Sequence, residues 1–116
     1  MKVRDLKVLN DNFGVSLRTL FINYQWEYES IYERPEIKEM FLDFLLNAIK
    51  ENYIKLISLG EILEGNPEEY IEQFRNLWPS EYNPEIPEKD IDDLWWWTVA
   101  PAGIIWVYPD GSLEWT

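Results

Sequence analysis

Between Ile37 and Ile49 the apolar residues Ile37, Met40, Phe41, Phe44, Leu45, Ala48 and Ile49 recur at intervals of three and four. That period winds them onto one wide face of an α-helix, and such a face must be covered by something else. Pro35 suits a first turn, and Glu36 and Glu39 favour the positive helix end, so the spacing predicts a helix over residues 35–51. The C-terminus has a different period. Gly103–Tyr108 and Ser112–Thr116 are rich in strand formers and flank Pro109-Asp110-Gly111, a turn sequence, so a β-hairpin is expected. A helical face and a hairpin in one short chain point to an α+β fold: N-terminal helices packed on a small, mostly antiparallel sheet that ends in the hairpin.

The remaining segments fill in this plan. Phe13, Leu17, Leu20, Phe21, Tyr24 and Tyr28 form a second helical stripe, predicting a helix over 12–30. Before it, Val3, Leu6, Leu9 and Phe13 keep helical spacing, but Asn10-Asp11-Asn12 reads equally as a break or a cap. Residues 53–59 (Y-I-K-L-I-S-L) read as a strand closed by Gly60. Asn66-Pro67-Glu68-Glu69 opens a further helix, with Tyr70, Ile71, Phe74, Leu77 and Trp78 as its buried face and Trp78-Pro79 as its stop. Trp95–Val99 reads as a strand broken at Ala100-Pro101.

With 116 residues the chain suits a single domain, residues 1–116, without room for a second core. Surface scaling predicts roughly 6,700 Å² accessible when folded, about a third of the extended chain's surface. Hydrophobic residues make up 47% and aromatics 16%, enough for a core without staples.

The absence of cysteine and histidine removes whole classes of chemistry. Disulfides, thiolate or imidazole metal sites, cysteine nucleophiles and serine triads all need one or the other. No glycine-rich phosphate cradle and no G-x-S-x-G elbow occurs. Asp90, Asp92 and Asp93 lack the alternation and turn glycine of a calcium loop. No metal or other cofactor is therefore expected. Only carboxylate chemistry survives, as in a carboxylate-dependent hydrolase or a carbohydrate-binding protein with tryptophan platforms. The missing cysteines and the lack of an apolar leader or span lead to an expected cytoplasmic location.

The net charge of −12 is unevenly placed, with −1 over residues 1–58 and −11 over 59–116. A field of that sign repels nucleic acid and anionic membrane and draws basic partners over a Debye length of about 8 Å. Residues 81–93 alone hold Glu81, Glu85, Glu88, Asp90, Asp92 and Asp93 against Lys89. Pro79, Pro84 and Pro87 keep this stretch from regular structure, so it is an extended acidic loop. A solvated loop that touches nothing is one reading; a focused negative patch for capturing a cationic protein is the other. Trp95-Trp96-Trp97 follows directly. On a strand, Trp96 would face away from Trp95 and Trp97, so these indoles either pack in the core or anchor a partner beside the loop. Trp26, Trp106 and Trp115 pose the same choice, with the core favoured. The candidate partner-binding residues are thus Glu81, Glu85, Glu88, Asp90, Asp92, Asp93, Trp95 and Trp96.

The helix end Trp78-Pro79, then Leu94-Trp95, Pro101-Ala102-Gly103-Ile104-Ile105-Trp106, Asp110-Gly111 and Trp115-Thr116 resemble a family of small, uncharacterised acidic bacterial proteins. The resemblance runs over about residues 35–116. That family is connected with loci of contact-dependent growth inhibition and related polymorphic toxins. The resemblance therefore implies an immunity-type role. Together with the acidic second half and the lack of catalytic residues, it leads to an expected protein that binds a basic toxin domain, a nuclease above all, and covers its cationic surface. It brings no active-site residues with it. The alternative is a structural module that self-associates, as a homodimer, through its aromatic sheet.

Overall fold

The computed structural model describes residues 1–91 and 94–116, with backbone alone for 94 and 95. In chain order the elements are α1 (Val3–Asp11), α2 (Leu17–Glu27), α3 (Ile37–Lys50), β1 (Ile54–Ser58), β2 (Glu61–Ile62), α4 (Pro67–Leu77), α5 (Leu94–Val99), β3 (Gly103–Val107) and β4 (Leu113–Trp115). The strands form one antiparallel sheet in the order β2-β1-β3-β4, so the fold is α+β with a C-terminal hairpin. The accessible surface is 6722 Å², as size scaling predicts.

Several elements follow from local chemistry. Asn66 caps α4 by accepting from the Glu68 amide at 2.9 Å, and Pro67 fills the first helical position. In the hairpin, Gly111 has φ of +89°, and its amide donates to the Tyr108 carbonyl at 2.8 Å. The register pairs Ile54 with Trp106 and Leu56 with Ile104. Those four share the sheet face that meets the helices, and all are buried. Opposite them, Phe21, Tyr24, Phe41 and Phe44 form a ring cluster with centroids 4.9–5.8 Å apart. The Trp106 indole N–H donates to the Val15 carbonyl at 2.8 Å, tying the sheet to the chain between α1 and α2.

Four expectations change. The helix predicted over 12–30 is shorter, because Gly14 turns at φ of +93° and Ser16 caps α2, its Oγ accepting from the Thr19 amide. Phe13 lies in that turn and stacks on Trp106 and Tyr108 instead. Residues 3–11 are helical, but they bury Asp5, Val8 and Leu9, with the C-cap Asn12 buried beyond them, while Val3 is exposed. The predicted strand at Trp95–Val99 is the helix α5. The edges of β3 are already taken by β1 and β4, so a further strand has no place beside it. Winding as a helix also brings Trp96 and Trp97 onto the same partner, Trp78, at 5.0 and 6.1 Å. Trp26 and Trp115, expected in the core, are exposed, whereas Trp106 is buried.

Phe44 contacts both Tyr24 and Phe41 and is 1% exposed. Phe44→Ala is expected to destabilise the fold by about 3–5 kcal/mol, seen as a lower urea midpoint at unchanged slope.

Candidate partner-binding surface

The stretch after α4 is anchored at three places. The Trp78 indole N–H donates to the Tyr82 hydroxyl at 2.8 Å. The Tyr32 hydroxyl donates to Asp90 Oδ1 at 2.6 Å, and the Tyr32 and Tyr82 rings meet edge to face at 6.1 Å. Ile91 is wholly buried. Between these anchors the backbone folds on itself. Asn83 donates to the Lys89 carbonyl at 3.0 Å, its side chain accepts from Glu85 at 3.0 Å, and Pro87–Lys89 makes one tight 3-10 turn. Three prolines kept the segment out of the regular elements, but tertiary contacts hold it in place.

This anchoring divides the acids. Glu81, Glu85 and Glu88 are exposed. Glu81 is paired with Lys89 at 2.7 Å, and the ammonium beside it holds the Glu81 carboxyl below the usual carboxylate range. Glu85 and Glu88 have no ion pair among the described residues. Asp90 is turned towards Tyr32 and only half exposed, so it contributes little to the outer surface. Asp92 and Asp93 lie outside the described residues, as does the side chain of Trp95.

Trp96 is not an accessible anchor. It is 3% exposed, lies 4.6 Å from the Trp97 ring, and donates its indole N–H to the Leu77 carbonyl at 3.2 Å. The surface above it is aliphatic. Leu77, Pro79, Glu88 and Val99 line a shallow depression of about 300 Å³ with Trp96 beneath. Leu77 is 59% and Val99 56% exposed. Leu77, expected on the buried face of its helix, falls outside the stripe that Ile71, Phe74 and Trp78 bury. On the rest of α4, Glu68 pairs with Lys50, and Glu72 and Glu39 pair with Arg75. Glu85 and Glu88 are thus exposed acids without an ion pair among the described residues, and Glu88 lies at the aliphatic depression.

Sequence reasoning also missed Trp26, which is 85% exposed. The signal was available: on a helical wheel Trp26 lies opposite the buried stripe Leu17, Leu20, Phe21, Tyr24 and Tyr28. Its indole divides a depression of about 410 Å³ lined by Ile22 and Gln25 from one of about 240 Å³ lined by Asp11, Asn23 and Glu27.

Comparison with known proteins places this surface in a family. Residues 49–116, more than half of the chain, match the model of a protein family of unknown function, DUF596. The chain belongs to this family. The matched part holds the whole sheet, α4, α5 and the acidic loop. A solved structure described as an uncharacterised protein conserved in bacteria, from Neisseria meningitidis, is similar over 96% of this chain and 83% of its own. The identity is 27% and the TM-score 0.75, and the coverage takes in the N-terminal helices. No curated protein matches the chain. Among the described residues, no helix is long and apolar enough to cross a membrane.

The Glu81 pair sets a pH expectation. A carboxyl whose pKa is lowered by folding gains from its partner above its ordinary pKa and loses that gain as pH falls through the lowered value. Lys89→Ala should move the Glu81 titration, followed by side-chain NMR, up to the ordinary carboxylate range.

Proposed function

We propose that this member of DUF596 is a binding protein for a cationic protein partner, acting as an immunity-type inhibitor of a basic toxin domain such as a nuclease. The observation that carries the reading is the junction of Glu88 with Leu77 and Val99 in one depression, with Glu85 unpaired on the same loop. Exposed carboxylates steer a basic partner and set the rate of encounter. Aliphatic side chains that lose their water on contact set how long it stays. The loop is held before the partner arrives by Trp78–Tyr82 and Tyr32–Asp90, so little ordering entropy is spent on binding. Inhibition would be steric: the acidic loop covers the cationic surface on which the toxin holds nucleic acid. The resemblance to proteins of toxin-immunity loci points the same way.

Stopped-flow association with a panel of cationic toxin nuclease domains tests this. The association rate should fall steeply with added salt, and Glu85→Gln with Glu88→Gln should slow association. Leu77→Ala with Val99→Ala should speed dissociation by about 10-fold or more while leaving association nearly unchanged. Rates indifferent to salt and to all four residues would remove the reading.

Trp26 favours a second reading, carbohydrate binding, because its exposed indole borders Asp11, Asn23 and Glu27. Oligosaccharide titration should then quench tryptophan fluorescence in the native chain but not in Trp26→Phe. Equal quenching in both would end it.

A further inference from the structure

Asp5 stands in the first turn of α1 and is 8% exposed, yet among the described residues no cation comes within ion-pair distance of it. Among the described residues its side chain's one hydrogen bond comes from the Tyr28 hydroxyl to Oδ1. The cations nearby are engaged elsewhere. Arg4 pairs with Glu27 and lies over the Tyr28 ring at 4.4 Å, Lys7 pairs with Glu27 and Asp11, and the Met1 amine faces Glu51. Lys2 lines the same hollow without coming within ion-pair distance. A buried carboxylate is costly unless it is paired and fully hydrogen-bonded, and one phenol fills one of about four acceptor positions. Among the described residues no enclosed side-chain oxygen lacks a partner, so the other Asp5 oxygen is open to the cavity it lines.

That cavity lies between α1, α2 and α3 and measures about 420 Å³. Asp43 brings a second carboxylate and Asn47 a carboxamide, while Met40, Phe44 and Tyr24 provide apolar and ring surface. Burial raises the pKa of both phenols, that of Tyr28 to about 12, so they stay neutral donors at neutral pH. A hard divalent ion asks for six or more oxygens at close range, which two carboxylates among rings and a thioether do not offer. The volume also far exceeds an ion's and falls in the range of small-molecule sites. Ring surface beside carboxylates suits a cation with an apolar body, and Tyr28 already carries one guanidinium, that of Arg4, on its ring.

We propose that this cavity binds an organic cation, an alkylammonium or guanidinium group, with Asp5 as its counter-ion. Asp43 supports it from the exposed wall, and the rings and Met40 take its carbon chain. The site uses α1–α3, outside the matched residues 49–116, and does not depend on the acidic-loop reading. The group has two sources, a free small amine or the tip of a basic side chain on another protein.

The test is titration of the full chain, followed by calorimetry and by the Met40 methyl NMR signal. The probes are n-butylammonium, L-arginine amide, the peptide Gly-Arg-Gly amide, and n-butanol as the neutral match. Saturable binding of butylammonium or arginine amide, without binding of butanol, is expected for a free ligand. Binding of the peptide alone assigns the group to a protein partner. Asp5→Asn should weaken whichever cation binds by about 10-fold or more. Should Asp5→Asn fold poorly, Asp43→Asn is expected to weaken binding in the same direction, and Lys2→Ala to strengthen it by removing the competing charge. Butanol binding as well as butylammonium, equal affinity in folded Asp5→Asn and the native chain, or no binding up to about 10 mM would overturn the proposal.

Discussion

The arrangement of the second half depends on the indole of Trp78. It ends α4 and meets Phe21 of α2 at 5.5 Å, and Trp96 and Trp97 of α5 at 5.0 and 6.1 Å. Its N–H, which would otherwise be a buried donor, is satisfied by Tyr82. One side chain thus joins two packed helices to the start of the acidic loop. Pro79 follows at once and turns the chain out of the helix, so the loop leaves from a fixed point.

The surface chemistry follows from that packing. Because Trp96 and Trp97 fill the space beside Trp78, the outside of this corner is left to Leu77 and Val99. Tyr32 draws Asp90 inward, whereas Glu81, Glu85 and Glu88 face outward, and of these three only Glu81 has an ion pair among the described residues. The same economy acts at the N-terminal helices with another result. There Glu27 takes both Arg4 and Lys7, and Asp5 is left with a phenol and an open cavity. The two candidate sites therefore differ in kind, one a shallow depression with an acidic rim, the other a mostly buried carboxylate facing a cavity.

Much of the architecture was legible. The helix at 37–50, the strand at 54–58, the capped helix from Pro67 and the C-terminal hairpin all have a strong period with turn or cap residues at their ends. The site was legible in part. Loop, acids and exposure of Glu81, Glu85 and Glu88 follow from prolines and charge, whereas Trp96, expected as an anchor, is buried. Trp95–Val99 has the composition of a strand, and only the tertiary packing of Trp96 and Trp97 on Trp78 shows why it is a helix. Leu77 and Trp26 were drawn into the core by their hydrophobicity, although helical phase sets both outside it.

The sequence by itself determined the α+β class, the order of the main elements and the acidity of the second half, because periodicity, capping and charge are local properties. Tertiary structure alone decided which indoles are buried, which acids face solvent, and that Asp5 would be enclosed without a cation. Those outcomes depend on neighbours far apart in the chain, Asp5 with Tyr28, Tyr32 with Asp90, and Trp78 with Trp96, and no local pattern encodes the distance between them.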